Sequence, residues 1–356
     1  MTSILRVLRS QSGASVAAAL LALIAVAGVI VAGGFDIGHA ATAMWNGSAG
    51  SAYSFFSGTL VRATPLIIVG LAVAVAFEAG VLNIGAEGQL LAGAAATIAA
   101  GLAMSNWSSW ICVPLELAAG MAAGSAWAAI AGILKRRFGV LEVISTLMLN
   151  FVALFGVSYL VRGPLQEPTG LYPETLPLAE SARLPVIIAG QRLHLGFALA
   201  VIFAIAAWWF LRSTAAGFRI RAVGAGAAAA ASTGRVNVDR VVFGAFLASG
   251  ALAGLGGAVQ VTGVTYKLYE LISPGYGYSA IAVALLARLN PLAVIVAGIF
   301  FGGLEAGGAG MQRDAGVPSG FVYVIEALVI LGVLAVDRAR VVAGARIARA
   351  PGEQAA

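Results

Sequence analysis

The sequence predicts an all-α polytopic membrane protein of about ten transmembrane helices, some of them broken or re-entrant. Of its 356 residues, 60% are hydrophobic and only 10% are charged, and the mean hydropathy is +0.96. A soluble domain carries roughly 25% charged residues, so this chain lacks the polar residues that a water-exposed surface requires. Its apolar runs have about 20 residues, the length that crosses a bilayer as a helix. We therefore expect one transmembrane domain over 1–356.

The apolar runs follow one another with few long connections. The first, 13–34, follows Arg6 and Arg9 and is longer than the apolar core of a signal peptide, roughly 7–15 residues. We interpret it as an uncleaved helix, followed by an outside segment, Phe35 to Phe56. The other predicted spans lie near 58–79, 81–104, 110–133, 139–161, 195–211, 241–264, 273–290, 291–308 and 318–337. Glycine and proline interrupt the segment at 273–290, and a polar, proline-bearing stretch occupies 162–193.

Basic residues predict the orientation of these spans. Ten crossings that begin inside leave both termini and the loop 212–240 inside, together with 14 of the 21 Lys and Arg residues. Because the inner loops of membrane proteins are enriched in Lys and Arg, both termini are predicted to be cytoplasmic. The basic residues lie between apolar runs and form no stripe of the kind that binds nucleic acid.

Two blocks of four spans, 58–161 and 240–337, have similar lengths, and the second segment of each is interrupted. The blocks start on opposite sides, so a relation between them would be an inverted repeat, as in many transporters. Residue identity between them is negligible. The alternative is that any ten-helix protein divides into matching halves.

Polar residues inside the predicted spans are few, and charges there usually face protein or a water-filled path. The densest group is Glu78-Ala-Gly-Val-Leu-Asn83-Ile-Gly-Ala-Glu87-Gly-Gln89. Its glycines and carboxylates indicate either an unwound segment beside a path or a tight inside turn. Glu142 and Asn150, with Thr146 between them, share one helical face. That stripe indicates either a hydrophilic path or hydrogen bonds between helices.

No pattern indicates an enzyme. The two lysines, Lys135 and Lys267, lie in no phosphate-binding loop, so the chain carries no ATP site of this kind. Two histidines and one cysteine provide no zinc-ligand spacing. We expect no catalytic residues, no cofactor and no metal, and transport is the default function.

The inside loop 212–240 contains Gly217-Phe-Arg219-Ile-Arg221-Ala-Val-Gly224 and then an alanine-rich run. Such a run predicts a short helix on the cytoplasmic face. It would serve either as a docking helix for a separate ATPase or as a plain connector.

The separated blocks Glu78–Gln89, Glu142–Asn150, Tyr159–Leu165, Gly217–Gly224, Ser249–Gly254 and Ser273–Pro291 together resemble a known family. They are similar to permease subunits of bacterial ABC importers of the branched-chain amino acid and simple sugar superfamily, most of all to general nucleoside importer permeases. After Gly224 the chain has Ala225-Gly-Ala, where the family usually has an Asn-Pro-Glu-like stretch.

The resemblance implies a subunit of the bacterial inner membrane that moves nucleosides by alternating access, surrounded by membrane lipid. Its partners would be a cytoplasmic ABC ATPase subunit, a second, related permease in a heterodimer, and an extracytoplasmic substrate-binding lipoprotein. The expected path residues are Asn83, Glu87, Gln89, Glu142 and Asn150, and the expected ATPase-coupling residues are Gly217, Arg219, Arg221 and Gly224. Alternatives are a permease for simple sugars or branched-chain amino acids, and a proton-coupled secondary carrier that uses Glu87 or Glu142.

Overall fold

The computed structural model describes residues 24–318, apart from 233 and 235, and scattered positions between 320 and 335. Regular structure in this part of the chain is helical, with two isolated β-bridges. Among the described residues, six helices are long and apolar enough to cross a membrane, and a bent pair makes a seventh if it is one span. The predicted all-α membrane class is confirmed. Arg6, Arg9, the basic tail and nearly half of the predicted span at 318–337 lie outside the described residues.

The helices follow the predicted apolar segments closely. In chain order they are α1 (Ile24–Ala32), α2 (Ile37–Ser48), α3 (Leu60–Glu78), α4 (Ala86–Ala103), α5 (Ser109–Phe138), α6 (Glu142–Arg162), α7 (Leu195–Ser213), α8 (Ala215–Ala225), α9 (Ala227–Ser232), α10 (Val238–Gln260), α11 (Tyr276–Leu286) and α12 (Pro291–Asp314). A π-helical turn, Ser54–Thr59, precedes α3, and another, Val261–Thr265, follows α10.

The chain divides into two compact units, and the smaller one comprises residues up to Phe55 and from Leu304 onward. In this unit the helix axis bends by 113° between α1 and α2. The side chain of Asp36 accepts a hydrogen bond from the His39 backbone N–H at 2.6 Å and so starts α2. The segment Phe35–Phe56, predicted only as an outside connection, therefore contains a helix that its sequence signals through this cap.

The larger unit, 56–303, is built around two buried helices. Helix α3 is buried along almost its whole length, and α10, α11 and α7 pack around it. Helix α4 is packed by α5, α6 and α10. The broken segment predicted at 273–290 is confirmed as one short helix, α11. The short helix predicted for the alanine-rich run within 212–240 is confirmed as α9, and a second helix, α8, precedes it.

Helices α5 and α10 approach each other at two Gly-x-x-x-Gly motifs, Gly120–Gly124 and Gly250–Gly254. A Cβ atom on Gly124 would lie 2.3 Å from the Gly250 carbonyl oxygen, and one on Gly254 would lie 2.2 Å from that of Gly120. Real Cβ atoms do not come so close to backbone, so only glycine allows this spacing. The contact is the close helix packing that Gly-x-x-x-Gly motifs provide in membranes.

Replacing Gly254 by valine will destabilise the chain by about 3 kcal/mol, because the added atoms meet the backbone of Gly120 and have no flexible neighbour to displace. The matched control is Gly244→Val on the same helix, where a Cβ atom would meet nothing within 4 Å. Thermal unfolding of both purified variants in the same detergent measures the difference. Equal unfolding temperatures would show that the two helices can separate without cost.

The proline-bearing stretch before α7, 162–193, packs against the segment that follows α10. Backbone hydrogen bonds join Thr175 to Leu268 at 2.9 Å and Leu178 to Tyr266 at 2.8 Å. The Arg162 guanidinium donates to both carboxylate oxygens of Glu270 at 2.6 and 3.0 Å. These bonds, with one from Ser158, lower the pKa of Glu270 to about 2. The stretch is therefore held in place by backbone pairing and by charge.

His194 lies at the end of this stretch and caps α7. Its Nδ1 accepts a hydrogen bond from the Gly196 backbone N–H at 3.2 Å, and its side chain is fully buried. Gly263 packs on the ring, and a Cβ atom there would lie 2.5 Å from Cε1. Burial, with the nearby charge of Arg192, lowers the pKa of His194 from 6.5 to about 4.

The stability of the folded chain will therefore fall as the pH drops from about 6.5 towards 4. In that range the unfolded state binds a proton at this histidine and the folded state does not, and the linkage amounts to about 3 kcal/mol. His194→Gln keeps a side-chain acceptor and removes the titration. Unfolding temperatures at pH 7 and pH 4.5 should differ more for the wild type than for this variant. The same pH difference in both would assign the effect to other groups.

Candidate functional site

Seven residues between α3 and α4, positions 79–85, form an irregular segment inside the larger unit. Gly80 has a φ of +73°, which favours glycine. Val81, Asn83 and Gly85 are buried, whereas Leu82 between them is 48% exposed. Irregular backbone of this kind needs partners for its polar groups within the protein.

Asn83 supplies several of these partners. Its side-chain Nδ2 donates to Gln89 Oε1 at 2.9 Å and to Ser249 Oγ at 2.8 Å. Its Oδ1 accepts from the Gly85 backbone N–H and from Gln89 Nε2, both at 3.0 Å. Ser249 Oγ in turn donates to the Ala72 carbonyl at 2.7 Å. This one amide therefore joins the irregular segment to α4 and α10.

Asn150, on α6, holds the other side of the segment. Its Oδ1 accepts from the Gly88 backbone N–H at 2.8 Å, and its Nδ2 donates to the Ile84 carbonyl at 2.9 Å. A third hydrogen bond runs from Nδ2 to the Tyr278 hydroxyl at 3.3 Å. Tyr278 is 43% exposed, so the network reaches the surface of this chain there.

Glu87 connects α4 with the beginning of α11. Its carboxylate accepts a hydrogen bond from the Gly277 backbone N–H at 2.6 Å, and the residue is 7% exposed. A Cβ atom on Gly277 would lie 2.3 Å from the Glu87 nitrogen, so only glycine allows the two backbones to come this close. The carboxylate takes the place of an anion at a helix N-terminus, where unpaired N–H groups favour negative charge.

We call these side chains, Asn83, Glu87, Gln89, Asn150, Ser249 and Tyr278, the polar cluster. The two asparagines, Glu87 and Gln89 are all buried, and each is hydrogen-bonded within the chain. Amide and carboxylate groups can exchange such bonds for those of a polar, uncharged ligand. Within the described residues, no group of three potential metal ligands occurs.

Helix α8 lies against the end of α3. The Thr214 hydroxyl accepts from the Gly217 backbone N–H at 3.0 Å and so caps the helix. A Cβ atom on Gly217 would lie 2.2 Å from the Phe210 carbonyl oxygen, and one on Gly224 would lie 2.0 Å from that of Glu78. Arg219 and Arg221 are exposed. The glycine face of α8 therefore packs on the bundle and leaves these two arginines outside.

The family of the chain follows from comparison with known proteins. Residues 55–334 match the model of the branched-chain amino acid transport system / permease component family. The chain belongs to this permease family. No solved structure matches it.

Relatives of this permease carry names for different substrates. It is 38% identical over 331 residues to the guanosine ABC transporter permease protein NupP of Bacillus subtilis. The aligned residues cover 92% of this chain and 94% of NupP. Identity to the glucose ABC transporter permease protein TsgB13 of Haloferax volcanii is 37% over 292 residues, 76% of this chain and 74% of the relative. The nucleoside ABC transporter permease protein NupB of Lactococcus lactis is 31% identical over 281 residues, 76% of this chain and 77% of NupB.

Four of the five residues predicted to line a path lie together in this permease, and the fifth lies apart. Asn83, Glu87, Gln89 and Asn150 belong to the polar cluster. Glu142 instead forms an ion pair with Lys135 at 2.9 Å, across the turn between α5 and α6. Thr146, from the same stripe, packs beside Gly85. One face of α6 therefore makes two separate polar contacts, the ion pair of Glu142 and the hydrogen bonds of Asn150.

Sequence reasoning gave no role to Ser249 or to Tyr278, the two members of the polar cluster contributed by α10 and α11. Both residues stand in blocks that carry the family resemblance, which was the available signal. Their positions lie 166 and 128 residues from Asn83 and Asn150, respectively. Such pairs share no local spacing, so only the fold brings them together.

Proposed function

We propose that this chain is the permease subunit of an ATP-driven importer that moves nucleosides across the inner membrane. The observation that carries the proposal is the similarity to NupP, which extends over nearly the full length of both chains. Purine and pyrimidine ribosides are uncharged and carry several hydroxyl groups, and amide and carboxylate side chains bind such groups well.

The path is proposed to pass the polar cluster and Glu142. In this structure the cluster bonds are made within the chain, so passage requires that some be exchanged for bonds to the substrate. Tyr278 marks the side on which the cluster reaches the surface of the chain. Alternating access supplies the change, because the two sides of the path open in turn.

The remaining parts of the proposed importer follow from the same assignment. A cytoplasmic ATPase subunit would dock on α8, through the segment that contains the coupling residues Gly217, Arg219, Arg221 and Gly224. A second permease related to NupQ of Bacillus subtilis, to which this chain is 29% identical, would complete the pore. A binding lipoprotein would deliver the substrate from outside, and both termini would be cytoplasmic.

The deciding experiment is uptake in the native host after deletion of the gene. Loss of radiolabelled guanosine uptake, restored by the gene in trans, is the expected result, with glucose uptake unchanged. Loss of glucose uptake instead would favour a sugar permease. The similarity to TsgB13 supports this alternative. If vesicles without ATP take up guanosine when a pH gradient is applied, the chain is a secondary carrier and the ATP-driven importer is excluded.

A further inference from the structure

A cavity of about 520 Å³ lies where the ends of α3, α7 and α11 meet the beginning of α12. Its lining includes Glu78, Trp208, Arg212, Arg221, Arg288 and Pro291. This volume is in the range of small-molecule sites, roughly 300–1,000 Å³. The loop 212–240, to which two of the arginines belong, is the most basic segment between predicted spans.

The charge of the lining is strongly unbalanced. Three arginines face the cavity together with a single carboxylate, that of Glu78. Among the residues that the structure describes, Arg212 forms no ion pair, and Arg221 interacts with the charge of Glu78 without a salt-bridge contact. The Arg212 guanidinium lies over the Trp208 ring, 5.6 Å from its centre. An anionic group in the cavity would supply the missing negative charge and accept several N–H donors at once.

One wall of the cavity belongs to α7, an apolar helix with exposed hydrophobic side chains. Helix α7, which ends at Arg212, exposes Ile202 to 58%, Ile205 to 51% and Trp209 to 57%. Tryptophan close to the end of an apolar helix is typical of the headgroup level of a bilayer, and basic pockets between helices on the cytoplasmic side bind anionic headgroups. The position of the cavity therefore combines an apolar helix face with a cluster of arginines.

We propose that this cavity binds the headgroup phosphate of an anionic phospholipid such as phosphatidylglycerol. The guanidinium groups of Arg212 and Arg221 would hold the phosphate, and the acyl chains would lie along α7. A docked protein is the other occupant to consider. It needs an interface of about 1,000 Å² or more, whereas a cavity of about 520 Å³ that includes Trp208, in the last turns of α7, has the size of a small-molecule site.

The test uses the purified full-length chain in detergent and native mass spectrometry. Phosphatidylglycerol and phosphatidylcholine with the same acyl chains are titrated separately. The wild type should bind phosphatidylglycerol more tightly than phosphatidylcholine, and Arg212→Gln and Arg221→Gln should each weaken phosphatidylglycerol binding about fivefold. Arg219→Gln is the matched control, because Arg219 lies on the same helix as Arg221 but does not line the cavity. Gel filtration establishes that all variants remain folded.

Three results would overturn the proposal. In the first, phosphatidylglycerol binds no better than phosphatidylcholine. In the second, all three arginine variants lose lipid equally, which indicates general surface charge. In the third, Arg212→Gln binds lipid normally but loses either added inorganic phosphate or the co-purified ATPase subunit, which would make the cavity a free-phosphate site or a protein-docking site.

Discussion

Replacement of Asn83 by leucine should reduce guanosine uptake at least tenfold while the chain still reaches the membrane. Leucine has a similar volume, but it leaves both ends of the buried Gln89 amide and the Gly85 backbone N–H without their partner. Each such unpaired buried group costs about 1–3 kcal/mol. The irregular segment would then leave its position between α4 and α10. Uptake of labelled guanosine, normalised to the amount of permease in the membrane, measures the effect.

The matched control is Leu82→Ala at the neighbouring position, where the side chain is 48% exposed. We expect this variant to retain uptake within a factor of two, because no polar group loses a partner. Asn83→Asp is a second variant, which keeps the acceptor and removes both donor bonds. If Asn83→Leu is present in the membrane at the normal amount and shows full uptake, Asn83 is not needed for transport.

Replacement of Gly224 by alanine should have a comparably large effect, a loss of uptake of at least tenfold. The new Cβ atom would lie 2.0 Å from the carbonyl oxygen of Glu78, and this neighbour is backbone that cannot rotate away. Helix α8 must then separate from the end of α3. Under the proposed function, the surface on which the ATPase docks would move with it.

Gly226→Ala is the control for this prediction, since the nearest atom to its Cβ would be that of Ala229 at 3.7 Å, an ordinary contact. Both variants are compared by nucleoside uptake, by membrane abundance and by co-purification of the ATPase subunit. The expected pattern is normal abundance for both, with uptake and co-purification lost only in Gly224→Ala. Normal uptake by both variants would show that transport does not depend on the close contact between α8 and α3.

Much of this fold was predictable because hydropathy acts over the length of a single helix. Helices α3, α6 and α7 begin and end within a few residues of the apolar runs at 58–79, 139–161 and 195–211. The glycine and proline residues around 273–290 predicted an interrupted segment, and the structure has an 11-residue helix there, α11. In contrast, α2 lies in a segment without a long apolar run, and its Asp36 cap was the only local signal.

The candidate site was predictable in composition but only partly in arrangement. The density of polar residues at 83–89 identified one half of the polar cluster, and Asn150 was identified from its helical stripe. The same stripe suggested Glu142, but positions eight apart lie about 12 Å apart along a helix. Lys135, across the turn, pairs with that carboxylate. Spacing along one helix gives a shared face, and only the neighbouring helices decide which contacts that face makes.

Helix α11 has a mechanical consequence for the two regions that it joins. It begins at the Glu87 carboxylate and is followed by Arg288, so each end meets the charge that a helix dipole favours. At 11 residues it spans about 16 Å, and it cannot change length without breaking its own hydrogen bonds. Because the length of α11 is fixed, a displacement of its arginine-lined end would also move the end that contacts Glu87. We expect α11 to couple the arginine-lined cavity mechanically to the polar cluster.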